Sequence, residues 1–178
     1  MGKPKSKPLG VRMNKERMLE LAEFIEKLPE KQFDMTSWVK DLRSNQGDLY
    51  YKEYFKNEYE VFDCNTVCCI AGWAVGLFNG TGIIKTNTLL RVDEDTIVKQ
   101  ATKLLDLTRS QAVELFYLNP DSIWDLYAVK LDLEQDMDGL YIINNKQAAY
   151  VLKDIAAGNV KEFDLDNSYV DDDDWSWM

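Results

Sequence analysis

Apolar residues recur along this chain at three- and four-residue steps in three well-separated stretches, and each stretch is bounded by helix-capping chemistry. Met18, Leu21, Ala22, Ile25 and Leu28 form the first stripe. Asn14 precedes it as an N-cap and Pro29 helps to end it, which predicts an amphipathic helix from about residue 14. Ile97, Ala101, Leu104 and Leu105 form a second stripe. The string Thr108-Arg109-Ser110-Gln111 is a capping box that opens another helix carrying Ala112, Leu115 and Phe116, with Asn119-Pro120-Asp121 as its stop. The third stripe, Ala148, Val151, Leu152 and Ile155, follows Asn144-Asn145-Lys146-Gln147, a second cap with glutamine at its third position, and runs to Gly158-Asn159.

Between these stretches the pattern changes. Residues from about Asn65 to Phe78 are apolar nearly all round, with Cys68, Ala71, Gly72, Val75 and Leu77, so they predict a central buried helix. Its small residues Ala71, Gly72 and Ala74 invite close approach by a neighbour. Gly80-Thr81-Gly82 breaks it, and Ile83 to Val92, rich in β-branched residues, reads as a short hairpin or an irregular loop. Upstream, Phe33, Met35 and Trp38 precede a short second helix expected over Trp38 to Arg43 and capped by Thr36 or Ser37. The aromatic run Tyr50 to Phe55 has no clean period and reads as an insertion covering the core. No period of about 20–50 residues repeats, which argues against a solenoid.

The fold expected is therefore all-α: a compact single-domain helical bundle over residues 13–160, with room for one small β-hairpin and with flexible charged tails. At 178 residues the chain is long enough to bury a core without metal or disulfide. Residues 1–12 are basic through Lys3, Lys5, Lys7 and Arg12, whereas 161–178 become purely acidic after Lys161. Too little apolar content stands in the first dozen residues to offset the entropy of ordering them.

Charge and residue types narrow the chemistry. With 31 acidic against 21 basic residues the formal charge is −10, which repels nucleic acid and anionic membranes and favours basic protein partners. The chain has no histidine, so the commonest general base and the commonest transition-metal ligand are absent. Cys64 and Cys68 stand at helical i,i+4 spacing beside Cys69. Adjacent Cys68 and Cys69 could close only a strained ring, so reduced thiols packed as small apolar residues are expected. Zinc would require a fourth ligand, and a catalytic thiol would require a base. Glu134-x-Asp136-x-Asp138-Gly139 imitates the start of a calcium loop, yet the twelfth position is Asn145 rather than a bidentate glutamate, leaving a solvated acidic turn. Gly76 to Gly82 lacks the Lys-Ser/Thr of a phosphate loop. No catalytic residue, cofactor or metal follows, and the chain reads as a non-enzyme. Without an apolar signal core or an apolar run of about 18–20 residues, it reads as cytoplasmic.

The string Cys64-x-Thr66-x-x-Cys69-Ile70-Ala71-Gly72-Trp73-Ala74 resembles a motif of small tailed-phage and bacterial proteins, Cys-x-Thr-x-x-Cys-Ile-Ala-Gly-aromatic/His-Ala. The similarity extends upstream to Phe33-Asp34-Met35-x-x-Trp38. Downstream it takes in Ala101-x-x-Leu104-Leu105-Asp106-Leu107-Thr108, Leu115-Phe116 and Gln147-Ala148-Ala149, and so covers most of residues 14–158. The resemblance implies a phage origin, hence a host cytoplasm, and an all-helical fold. It carries over no catalytic residue. Trp73 stands where such proteins often have histidine.

The C-terminus is the remaining candidate. Asp171, Asp172, Asp173 and Asp174 precede Trp175 and Trp177, a combination that resembles in composition the acidic aromatic tips with which single-strand-binding proteins recruit partners. These six residues are the expected partner-binding site, with tryptophans in a partner pocket and aspartates on its basic rim. The opposing expectation is that Trp175 and Trp177 fold back on the core. Together the features predict an accessory phage protein that binds and modulates a host protein with a basic surface. The alternatives are a nucleic-acid-binding module using the basic N-terminus, a virion-structural protein and a small-molecule-binding protein.

Overall fold

Asn14 caps the first helix, α1 (Lys15–Lys27), by accepting from the backbone N–H of Arg17 at 3.1 Å. Here α1 and the other elements are taken from a computed structural model that describes residues 13–36, 40–41, 59–61, 66–78, 83–85, 94–118 and 122–164. The stripe Met18, Leu21, Ala22 and Ile25 is fully buried. Leu28 turns extended before Pro29, whose lack of an N–H suits it to the stop.

The N-terminal end of α1 is tied to the end of α3 (Glu94–Leu104). Asn14 N donates to Leu105 O at 2.8 Å and Arg17 Nη1 to Leu104 O at 2.8 Å, so carbonyls orphaned at the helix end gain partners. Along its length α1 makes its most extensive packing with α6 (Asn145–Ala156), whose buried face carries Ala148, Val151, Leu152 and Ile155. Burying such stripes contributes about 1.5–3 kcal/mol for each large aliphatic side chain.

Two capping boxes set the second half. Thr108 accepts from Gln111 N and Gln111 Oε1 from Thr108 N, opening α4 (Arg109–Phe116); Asn144 and Gln147 repeat the exchange at the start of α6. Each glutamine also spends its amide N–H on a distant strand of chain, Gln111 Nε2 on Phe163 O at 2.7 Å and Gln147 Nε2 on Leu131 O at 3.1 Å. Gln111 thereby anchors α7 (Lys161–Asp164), whose Phe163 is buried in the core beyond the expected domain end at residue 160.

Several local expectations are corrected. The central helix α2 (Ile70–Phe78) starts at Ile70, not near Asn65. Thr66–Val67 is instead a strand, β3, antiparallel to β1 (Lys40–Asp41), with Lys40 opposite Val67. Cys68 follows in a parallel bridge to Phe33, donating its N–H to Gln32 O and accepting at its carbonyl from Asp34 N. Backbone groups committed to these partners cannot join a helix, so Cys68 stands before α2, and Cys64 lies outside the described residues. Lys40–Asp41, expected in a helix over 38–43, is strand for the same reason.

Ile83–Lys85, β4, pairs with β2 (Tyr59–Val61), Val61 lying opposite Ile83, while the rest of the expected hairpin or loop, 86–92, lies outside the described residues. Among the described residues a local hairpin joins β5 (Glu134–Gln135) and β6 (Tyr141–Ile142). There Gly139 takes a left-handed φ of 79°, which costs glycine nothing. A further helix, α5 (Ile123–Ala128), places the fully buried Trp124 in the core. The architecture is mostly helical, with three two-stranded antiparallel sheets among the described residues rather than helices alone. The run Tyr50 to Phe55, the stop Asn119-Pro120-Asp121, the basic tail 1–12 and residues 165–178 of the acidic tail lie outside the described residues.

Because Phe163 is enclosed, Phe163→Ala in the full chain should lower unfolding free energy by about 3–5 kcal/mol. Urea titration followed by tryptophan fluorescence measures it. A loss under about 1 kcal/mol would return residues after 160 to a tail without a core contact.

Candidate functional site

The segment leaving α1 passes through a single 3-10 turn, Glu30–Gln32, and is then pinned from the far side by Trp73. Trp73 Nε1 donates to Gln32 O at 3.0 Å, and its ring meets Phe24 at a centroid distance of 5.4 Å. This tryptophan serves as a packing and hydrogen-bonding wedge.

Opposite this segment stands the β5–β6 hairpin, and between the two lies a cleft of about 350 Å³. One wall is Glu30, Phe33, Asp34, Met35 and Thr36; the other is Asp136, Tyr141, Ile142 and Ile143. Asn144 and Asn145, at the start of α6, also line it. Asn145 connects the two walls, for its Nδ2 donates to Leu28 O at 2.8 Å and Ile25 O at 3.2 Å, at the carboxyl end of α1.

Two of the three acidic residues of the cleft, Asp34 and Asp136, are held by local turn chemistry. Asp34 Oδ1 accepts from Thr36 N at 2.9 Å and Thr36 Oγ1 at 2.6 Å. Asp136 Oδ1 accepts from the backbone N–H groups of Asp138 and Leu140, both at 2.9 Å, and this folds the hairpin tip. Tyr141 is fixed by its hydroxyl, which donates to Asp125. That bond, assisted by desolvation and by the carboxylate charge, holds the phenol pKa above its ordinary value. From Leu131 to Asn145 the chain carries four carboxylates, Asp132, Glu134, Asp136 and Asp138, and no lysine or arginine. Met137 at the tip is fully exposed and Ile142 half exposed, so apolar surface accompanies the charge.

The arrangement offers negative potential over an apolar trough, which suits a cationic group on an aliphatic stem. It does not gather metal ligands: among the described residues no group of three or more carboxylates or thiols converges on one position. The calcium-loop imitation resolves into the Asp136 turn. Cys68 and Cys69 are buried, and burial pushes the Cys69 thiol pKa up to about 12, so at neutral pH it is a protonated packing group. No helix among the described residues is long and apolar enough to cross a membrane.

The residues expected to bind a partner, Asp171, Asp172, Asp173, Asp174, Trp175 and Trp177, lie outside the described residues, and the structure does not place them beside the cleft or apart from it. The cleft itself escaped sequence reading. Its hairpin wall was visible as an acidic turn, but the facing wall stands a hundred residues away in sequence, and only the Asn145 bridge reveals the pairing.

A second polar cluster sits farther along α6. Asp154 accepts from Asn159 Nδ2 and from the Tyr127 hydroxyl, each at 2.7 Å, while Lys130 Nζ lies 4.8 Å from the Tyr150 ring centroid and 3.8 Å from Asp154. These hydrogen bonds, Asn159 first and Tyr127 second, lower the Asp154 pKa. A depressed carboxylate contributes stability above its unfolded pKa and loses it as pH falls through the folded value. Asn159→Ala should therefore raise the Asp154 pKa toward the ordinary range and shift acid unfolding to higher pH. Carboxylate NMR titration checks this, and an unmoved pKa would contradict it.

Comparison of the chain with protein-family models, with curated proteins and with solved structures finds no match in any of the three.

Proposed function

We propose that this chain is an accessory protein of phage type that binds a basic surface on a host protein in the host cytoplasm and modulates it, without catalysing a reaction. The observation that carries the reading is the cation-free acidic segment Leu131 to Asn145 beside a cleft whose walls are half apolar. Further exposed carboxylates, Glu16, Glu20 and Glu23, follow one another along the outer face of α1. Electrostatic complementarity of this kind accelerates encounter and sets register more than it adds affinity, so a second, apolar element is needed for residence. Asp171, Asp172, Asp173 and Asp174 with Trp175 and Trp177 supply that element as an acidic, aromatic tail on a compact single-domain helical body. Negative charge of this extent disfavours nucleic acid as the partner. The phage setting rests on the Cys64 to Ala74 motif.

Affinity capture from host lysate at low and at high salt tests the reading. One basic protein should be retained at low salt and released as salt rises. Removal of Trp175 to Met178 should abolish its retention while thermal unfolding stays nearly unchanged. Co-purification of a metabolite or nucleotide with no retained protein would overturn the proposal. A truncation that lowers stability without an independent loss of binding would reassign the tail to the core.

A further inference from the structure

The geometry points to a specific occupant for the cleft: we infer that it receives one arginine side chain of the basic partner. The inference rests on the binding reading above and deepens it. Three carboxylates, Glu30, Asp34 and Asp136, border a trough whose remaining walls include Phe33, Met35 and Tyr141. A volume of about 350 Å³ holds one long side chain and excludes a folded element. The turn at the hairpin tip uses Oδ1 of Asp136, which leaves Oδ2 for a ligand. Guanidinium presents a planar fork of donors that matches carboxylates and stacks on aromatic walls, and its weaker hydration makes it easier to bring into a half-apolar cleft than an ammonium.

A second observation has the same sign. Asn145 lines the cleft and is nearly fully buried, with Nδ2 committed to α1 while Oδ1 accepts no hydrogen bond. A buried amide oxygen without a donor, on a residue that lines the cleft, is an acceptor still to be satisfied and has the sign that a cationic donor meets. The N-terminus of α6 acts oppositely, since a helix start favours anions. Its capping box already satisfies the N–H groups of Asn144 and Gln147, and the bordering carboxylates repel an anion.

The test is NMR titration of the full chain with the capped tripeptide Gly-Arg-Gly and with its citrulline analogue, which is nearly isosteric but uncharged. The arginine peptide should shift amides of residues 33–36 and 136–145, and the citrulline peptide should bind them at least about fivefold more weakly. Glu30→Gln, Asp34→Asn and Asp136→Asn should each weaken the arginine peptide about two- to fivefold. Each amide keeps the acceptor oxygen, and an unchanged spectrum elsewhere confirms that the fold survives. Shifts produced by inorganic phosphate but not by arginine would overturn the inference in favour of an anion at the start of α6. Arginine shifts that map away from the cleft, or that ignore all three substitutions, would overturn it too. If salt-sensitive capture persists in the triple variant, the binding reading stands and the cleft assignment alone falls. If capture is absent from the unaltered chain, the binding reading falls whatever the peptide does.

Discussion

The amide of Asn145 at the carboxyl end of α1 is the contact on which the rest of the described structure depends. A helix leaves its last carbonyls without intrahelical donors, and burying them unpaired costs about 1–3 kcal/mol each. At Leu28 a side chain from the first turn of α6 supplies the donor, and at Ile25, whose carbonyl already accepts from the Leu28 N–H, it supplies a second one. Because α1 and α6 also share the most extensive packing among the described elements, this hydrogen bonding fixes the axial register of two apolar stripes that could otherwise slide. The exposed pair Lys153–Glu26 at 2.7 Å joins the same helices but contributes at most about 1 kcal/mol. Register fixed at this point determines where the chain goes after Leu28, and so sets the cleft wall against the hairpin.

A second economy of the fold lies in its glutamines. In each capping box the carbonyl oxygen closes the helix start, and the amide nitrogen reaches a distant carbonyl. One residue thus couples a local decision, where a helix begins, to a tertiary one, which segment lies beside it. Substituting either glutamine by glutamate would preserve the cap and lose the donor, which separates the two roles chemically.

Helix positions were legible wherever local chemistry decided them. Asn14, Thr108 and Asn144 act as caps through the side-chain bonds that their sequence context indicates, and the stripes of α1, α3 and α6 face the core. What eluded sequence reading was decided by partners remote in the chain. Thr66 and Val67 sit next to a strongly apolar helix, and only pairing with Lys40–Asp41 makes them strand. Ile83–Lys85 has the composition of a hairpin arm, but its partner is Tyr59–Val61. α5 spans six residues, too few to display a period, and Phe163 stands alone among acidic neighbours. The cleft combines both difficulties, since its acidic turn is local and its opposing wall is not.

Locked at Asn145, α1 and α6 should behave as one cooperative unit, and native-state amide hydrogen exchange tests that most directly. Core amides of both helices should open with a common free energy, and in Asn145→Ala that value should fall in both by the same amount, about 1–3 kcal/mol. Exchange of α1 through a separate, lower-energy opening that the substitution leaves untouched would contradict the account.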